Sequence, residues 1–97
     1  METQRETILS RLRAGLPALR REFPLRRLAL FGSVARGEAT PGSDIDILAE
    51  VEPSIGLGFV TLAEKLEELT GQKIDLVSRR AIKPLLWKQI EAELIDV

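Results

Sequence analysis

The fold of this chain is decided by residues 31–47, which read Phe31-Gly32-Ser33-Val34-Ala35-Arg36-Gly37-Glu38-Ala39-Thr40-Pro41-Gly42-Ser43-Asp44-Ile45-Asp46-Ile47. An apolar run ends at Phe31 and indicates a buried strand that begins at about Arg26. Gly32 follows at once, and a glycine lets the backbone turn sharply or pass close to a ligand. Alternating acidic and apolar residues then begin a second strand, from about Asp44 to Val51. The stretch therefore predicts two strands, with a sharp turn directly after the first.

The segment between the two predicted strands has the composition of a short helix. Ser33 has a side chain suited to an N-cap, so we expect a helix from about Val34 to Gly37. The first N–H groups of such a helix have no partner within it and favour an anion. Residues 41–43 turn the chain again before the second strand. The length of the connection permits either an antiparallel return or a compact crossover.

Three acidic residues are predicted to meet beside this turn. Side chains alternate along a strand, so Asp44 and Asp46 share one face about 7 Å apart, where they repel each other. Asp75 lies in a third predicted strand, from Lys73 to Val77, and points to the face opposite the core, as the first two do. A divalent cation would balance these charges, and Mg²⁺ prefers oxygen ligands. The pattern therefore predicts a metal and phosphate site.

The rest of the chain predicts an α+β fold, α/β-like in part, in which a mixed sheet of three or four strands packs with helices. Residues 1–97 are expected to form a single domain. Pro17 lies in the leading helical region, so we expect a bend there or two helices. The helical connection between strands two and three favours a parallel pair. The remaining predicted elements are a helical region from about Thr3 to Glu22, a loop over 53–58, a helix over 59–69 that ends at Gly71, a last helix with Pro84 in its first turn, and an edge strand over 95–97.

Composition limits the chemistry that the chain can use. Its 97 residues include no Cys and no His, which excludes thiolate metal sites, disulfides and a Ser-His nucleophile pair. Any catalysis must therefore depend on carboxylates and other oxygen ligands. The N-terminal residues contain no apolar segment of a signal peptide, and no stretch is long and apolar enough to span a membrane. We therefore expect a cytoplasmic protein.

Charge is unevenly distributed along the chain. Residues 1–40 carry eight Arg and four Glu, a net charge of +4, whereas residues 41–97 carry a net charge of −5. A basic half can bind a phosphate-rich ligand or an acidic protein, but we interpret most of these arginines as a solvated helix face. One Trp, three Phe and no Tyr offer few rings on which bases could stack. Direct binding of nucleic acid is therefore not expected.

The glycine turn and the acidic pair together are more specific than either alone. Gly32-Ser33, ten further residues and Asp44-Ile45-Asp46 resemble the signature of the DNA polymerase beta-type nucleotidyltransferase superfamily. Residues 35–37 and 43–47 are similar to the minimal branch of that superfamily, the MNT domains. The resemblance covers nearly the whole chain and implies a nucleotidyltransferase fold.

The resemblance also implies roles for individual residues. Two Mg²⁺ ions would be bound by Asp44 and Asp46, and Asp75 would ligate the catalytic metal and help to deprotonate the attacking hydroxyl. ATP would be the nucleotide donor. Its β- and γ-phosphates would be held by Gly32 and Ser33. Arg36 either neutralises phosphate or pairs with a carboxylate and supports the loop, and Ser43 is the remaining nucleotide-binding candidate.

The short chain leaves no evident place for an acceptor, so we expect another polypeptide to supply it. MNT-like proteins commonly pair with a helical HEPN ribonuclease toxin, act as its antitoxin and can transfer AMP from ATP to a partner tyrosine. This resemblance makes protein adenylyltransferase the leading interpretation. A non-catalytic antitoxin or regulatory subunit that works by contact is the alternative, and transfer of a nucleotide to a small molecule is a third interpretation. Homo-oligomers also remain open at this point.

Overall fold

A computed structural model describes residues 3–97. Its first element is helix α1, Gln4–Glu22. The Thr3 hydroxyl accepts a hydrogen bond from the Glu6 N–H at 3.1 Å, and the Glu6 carboxylate accepts one from the Thr3 N–H at 3.4 Å. This reciprocal cap begins the helix where the sequence predicts it. Met1 and Glu2, which contribute to the expectation that no signal peptide is present, lie outside the described residues.

Helix α1 runs without interruption through Pro17, so the prediction of two separate helices is wrong. Proline lacks the N–H that would bond to the carbonyl four residues earlier, here that of Arg13. Pro17 and Arg13 are both exposed, so water can satisfy the carbonyl that proline leaves free. The buried side of the helix, with Leu12 and Leu19, keeps its packing against the core. Tertiary packing therefore outweighs the local cost of the proline.

The sheet has four strands in the order β3-β2-β1-β4. Strands β1 and β2 are antiparallel, so the connection between them is a return and not a crossover. Strands β2 and β3 are parallel, as the helical connection predicts. The last strand pairs antiparallel with β1. The bounds are Leu25–Phe31 for β1, Ile45–Val51 for β2, Ile74–Ser78 for β3 and Ile95–Asp96 for β4.

Helices cover both faces of this sheet. Helix α3, Gly58–Thr70, is capped at its C-terminus by Gly71, whose φ of 69° lies in the left-handed region, in agreement with the sequence prediction. Pro84 is the first residue of α4, where its missing N–H has no cost. The predicted loop over 53–58 contains a turn of 3₁₀ helix, and a second such turn follows β3. The helices are α2 (Gly32–Arg36), α3 (Gly58–Thr70) and α4 (Pro84–Glu91), with 3₁₀ turns over Pro53–Ile55 and Arg79–Ala81.

Two apolar clusters lie on opposite faces of the sheet. The larger one joins α1, α2 and α3 to the inward residues of the strands, such as Leu30, Ile45 and Ile47. The smaller one is centred on Ala29 and Leu48 and is covered by α4 and the second 3₁₀ turn. Its members are Ala29, Leu48, Ile82 and Ile90, with Phe31, Val77, Trp87 and Leu94 packed against them. The face that the sequence predicts to lie opposite the core therefore has a small core of its own.

Several arginines of the basic half are structural. Arg5 donates to the Ala35 carbonyl at 2.8 Å, Arg11 to the Thr70 carbonyl at 3.0 Å and Arg13 to a backbone carbonyl of β4 at 3.0 Å. These bonds join α1 to α2, to the end of α3 and to the edge strand. The interpretation of a merely solvated face is therefore wrong for these three residues.

Within residues 3–97, no helix has the length and apolar character needed to cross a membrane.

Candidate active site

Asp46 and Asp75 lie side by side on neighbouring strands. They are direct partners in the parallel pairing of β2 with β3. Both precede residues of the smaller apolar cluster by two positions, Leu48 on β2 and Val77 on β3, so both point to that face of the sheet. The sequence prediction that these two carboxylates share one face is confirmed.

The electrostatics of the pair are unfavourable while both groups are ionised. Burial raises the pKa of the Asp46 carboxyl, and the negative charges of Asp75 and Asp44 raise it further, while Arg36 acts in the opposite direction. Each cause except Arg36 disfavours the charged form of Asp46. A cation placed among these oxygens would reverse the balance. The donor set therefore fits a hard divalent ion such as Mg²⁺ in its chemistry.

Asp44 is more loosely placed than the other two acidic residues. It is exposed and lies one position before β2, although the sequence predicts it as the first residue of the strand. It is close enough to influence Asp46 electrostatically. Within residues 3–97, no three acidic side chains are assembled into a group that could hold a metal ion. The sheet thus holds Asp46 and Asp75 side by side. Asp44 lies at the edge of the candidate site.

Gly32 connects β1 to α2 and touches the acidic pair. Its φ of 76° lies in the left-handed region, and a Cβ built on it would overlap Asp46 Oδ2. The sequence predicts a glycine here either for a sharp turn or for a close approach to a ligand. The sharp turn is present, and the group that approaches Gly32 closely is the Asp46 carboxylate. Only glycine meets both conditions without strain.

The predicted role of Ser33 as a helix cap is wrong. Helix α2 begins at Gly32, its N-cap is Phe31, and no side chain caps it. Because the helix begins earlier than predicted, Ser33 is already inside it, where its hydroxyl lies past the capping position. Ser43 has a different environment. Its hydroxyl accepts from the Thr40 N–H at 3.1 Å and lies 3.1 Å from the Thr40 hydroxyl, so it braces the turn before β2.

Arg36 adopts the carboxylate pairing that the sequence left as one of two options. Its Nε donates to Glu38 at 3.0 Å and its Nη1 donates to Glu93 at 2.7 Å. The hydrogen bond with Glu93 is the largest of the effects that raise the pKa of the Arg36 guanidinium. Arg36 therefore joins α2 to the segment that follows α4.

Glu93 is the residue that the sequence analysis misses. Besides pairing with Arg36, its carboxylate accepts a hydrogen bond from the Gly32 N–H at 3.1 Å. It lies 61 and 57 positions from these two partners, and no local pattern connects them. Predicting the role of Glu93 would have required knowing that the chain returns to the sheet as β4 and pairs with β1.

A cleft of about 320 Å³ opens between α4 and the sheet. Its polar side carries Gly32, Asp46, Asp75 and Glu93, and its apolar side carries Phe31, Val77 and Leu86. Backbone and carboxylate groups are thus presented together at one end of an otherwise apolar groove. Such a groove can take a ligand whose anionic part is bound together with a cation and whose other part is flatter and less polar.

The antiparallel pair β1 and β2, the glycine turn after β1 and the pairing of Asp46 with Asp75 on the parallel strand β3 agree with the nucleotidyltransferase fold that the sequence resemblance implies. Residues 12–97 match the model of the nucleotidyltransferase domain family. The chain belongs to that family, which confirms the resemblance seen in the sequence. The predicted α+β fold with a mixed sheet of three or four strands is also confirmed, and the sheet has four.

Related proteins give this assignment more detail. The chain is 42% identical to the protein adenylyltransferase MntA of Thermococcus cleftensis, over 95% of this chain and 94% of the relative. A solved structure assigned as a minimal nucleotidyltransferase is 38% identical, has a TM-score of 0.83, and is matched over 96% of this chain and 95% of the other. A crystal structure of a toxin–antitoxin with AMP-PNP contains a chain that is 27% identical, with a TM-score of 0.66 over 95% of this chain and 70% of that one.

Proposed function

We propose that this protein is an adenylyltransferase that moves AMP from ATP to a hydroxyl side chain of a HEPN-type toxin and thereby acts as its antitoxin. Family membership supports nucleotidyl transfer. The 42% identical relative is named a protein adenylyltransferase, which supports a protein acceptor. The similar chain in a toxin–antitoxin structure with AMP-PNP supports both the partner and the adenine nucleotide. The reaction takes place in the cytoplasm, where ATP and Mg²⁺ are abundant.

The observation that carries this proposal is the pairing of Asp46 with Asp75 beside the Gly32 turn, at the polar end of the cleft. In the reaction, the acceptor oxygen forms a bond to the α-phosphorus while the bond from that phosphorus to the bridging oxygen breaks, and pyrophosphate leaves. Asp75 would receive the proton of the acceptor hydroxyl, and its position beside Asp46 supports this role. Backbone N–H groups at Gly32 and Ser33 and the Ser33 hydroxyl bind the departing phosphates.

Asp44, Asp46 and Asp75 would hold two Mg²⁺ ions, which supply positive charge to the attacking and leaving oxygens. The raised pKa of Asp46 supports this assignment, because the cluster is strained without a cation. Arg36 supports the Gly32 turn through Glu93, whose carboxylate also accepts a hydrogen bond from the Gly32 N–H. The hydroxyl of Ser43 orders the turn that leads into Asp44, which is an indirect contribution to nucleotide binding.

The experiment is incubation with ATP, Mg²⁺ and the purified HEPN-type toxin, followed by intact mass measurement of both proteins. The partner is expected to gain the mass of one or more AMP groups. Asp44→Ala combined with Asp46→Ala should abolish this gain. Glu68→Ala is the matched control, since Glu68 is an exposed acidic residue on α3, on the other face of the sheet. Unmodified partner in the wild-type reaction would contradict the proposal.

Inhibition by contact alone is the second candidate, and the surface beside the cleft favours it over small-molecule transfer. Leu85 is 82% exposed and Leu86 is 50% exposed at the start of α4, and Leu86 also lines the cleft. Adjacent exposed leucines suit a protein partner more than a polar small molecule. The two functions separate in cells: if the double alanine variant still protects against the toxin, contact is sufficient.

A further inference from the structure

One carboxylate, that of Glu93, binds two donors at the polar end of the cleft. Oε1 accepts from the Gly32 N–H at 3.1 Å, and Oε2 accepts from Arg36 Nη1 at 2.7 Å. The Glu93 side chain is 24% exposed, so this is a partly enclosed contact and not a loose surface pair. A charged acceptor with two oxygens, each bound by a separate donor, is also what a phosphate group offers.

Glu93 shares the cleft with two further carboxylates. Asp46 and Asp75 line the same space, so a third negative charge there is unfavourable unless donors hold it. Gly32 and Arg36 are those donors. Their hydrogen bonds with Glu93 use the Gly32 N–H, which the proposed function assigns to phosphate, and the Arg36 guanidinium.

We infer that Glu93 is an internal substitute for phosphate, which occupies the Gly32 and Arg36 donors and has to leave when a polyphosphate binds. Glu93 and a phosphate group compete because both need the Gly32 N–H and because their negative charges repel each other. Glu93 follows α4 directly, and α4 forms one wall of the cleft. Release of Glu93 therefore also loosens the connection between this wall and α2.

Competition of this kind lowers the apparent affinity for nucleotide. The observed dissociation constant equals the intrinsic one divided by the fraction of molecules in which the donors are free. Removing the carboxylate makes that fraction close to one. A purely structural Glu93 would have the opposite effect, since its loss would disorder the Gly32 turn and weaken binding.

The test is calorimetric titration of the folded protein with tripolyphosphate, in the presence of Mg²⁺, for the wild type and for Glu93→Gln. We expect the variant to bind roughly tenfold more tightly. Glu93→Asp retains the charge, but its shorter side chain cannot bridge both donors, so it too should bind more tightly. Adenosine, which has no phosphate, should show the same affinity for all three proteins.

Glu38→Gln is the matched control for charge. Glu38 also pairs with Arg36, at 3.0 Å, but the contacts of the structure do not join it to Gly32. Its replacement removes the same charge from the same guanidinium, and we expect at most a twofold gain in affinity. Equal gains in affinity for Glu38→Gln and Glu93→Gln would mean that the loss of one negative charge explains the tighter binding. That result would overturn the inference. Unchanged or weaker binding by Glu93→Gln would overturn it as well.

This inference rests on the proposed function, because it takes the Gly32 turn as the phosphate site. The titrations separate the two. Wild-type protein that binds neither tripolyphosphate nor Mg-ATP contradicts both proposals. Wild-type protein that binds Mg-ATP, with no tighter binding in the Glu93 variants, contradicts the role of Glu93 alone.

Discussion

Gly32 has to satisfy a backbone and a packing condition at the same position. Its φ of 76° costs an alanine about 1–2 kcal/mol, and an added Cβ would force the Asp46 carboxylate to move. We therefore expect Gly32→Ala to lower the free energy of unfolding by about 2 kcal/mol or more and to reduce AMP transfer to background. Urea unfolding and the intact mass assay measure the two effects.

Gly37 provides the control for this variant. Its φ of 74° is almost the same, but nothing lies within 4 Å of a Cβ built there. Gly37→Ala should therefore show the backbone cost alone, about 1–2 kcal/mol, and keep its transfer activity. If both variants lost the same stability and the same activity, the contact between Gly32 and Asp46 would have no special role.

Asp46 is expected to destabilise the metal-free protein at neutral pH. Burial, Asp75 and Asp44 raise its pKa in the folded chain, so the folded chain holds this proton more tightly than the unfolded chain does. Ionisation above the raised pKa then opposes folding. Asp46→Asn should raise the free energy of unfolding at pH 7, and the gain should vanish as the pH falls below about 3, where both states of the wild type are protonated.

Urea unfolding with a chelator present, at several pH values, measures this gain. Glu68→Gln is a suitable reference, since it removes an exposed carboxylate on α3, away from the cleft. Its stability should match the wild type at each pH. A destabilised Asp46→Asn protein at pH 7 would mean that the carboxylate makes net favourable contacts.

At the scale of elements, α1 shows a local rule overridden by packing. Pro17 lies in the middle of a continuous helix with its ring exposed. A proline costs about 3 kcal/mol in a helix interior, although an alanine gives the unfolded chain more freedom and offsets part of the difference. We expect Pro17→Ala to raise the free energy of unfolding by about 1–2 kcal/mol, measured by urea unfolding.

Ala18 supplies the comparison for Pro17, since it is the next exposed residue of α1. Ala18→Gly should lower the free energy of unfolding by about 1 kcal/mol. Opposite signs for these two changes would confirm that propensity acts normally on the exposed side of α1. A loss of stability in Pro17→Ala would instead mean that the proline ring makes contacts that stabilise the helix.

Helix α4 shows the limit of sequence analysis at this scale. Pro84 at its start and the apolar side that carries Ile90 can be predicted from the sequence, and both are present. Its position over the acidic face of the sheet cannot, because helical spacing gives the apolar side of a helix but not the surface on which that side packs. The wall of the cleft and the contacts of Glu93 follow from that packing.

The whole molecule concentrates negative charge at one end of its cleft, so cation binding should stabilise it. Ligand at about 100 times its dissociation constant adds about 2.7 kcal/mol, which corresponds to a rise in Tm of roughly 10 °C or more in a domain of this size. We expect such a rise with Mg-ATP and a smaller one with Mg²⁺ alone, measured by thermal scans.

The double variant Asp44→Ala with Asp46→Ala should show no rise in Tm under the same conditions. Potassium chloride at matched ionic strength is the control for screening, which acts on any cluster of charges. A wild-type Tm that does not respond to Mg²⁺ or to Mg-ATP would exclude the proposed site.

The sequence alone determined the order of the elements, the glycine turn after β1, the position of Asp46 at the start of β2 and the parallel pairing of β2 with β3. These features depend on short-range periodicity, on turn residues and on the length of a connection, all of which are local properties of the chain. The tertiary structure decided the rest: the register that places Asp46 beside Asp75, the looser position of Asp44, and the arrival of Glu93 at Gly32 and Arg36. These depend on how distant elements pack, because side-chain contacts between residues far apart in sequence are selected by the shape of the whole core and not by any pattern near either residue.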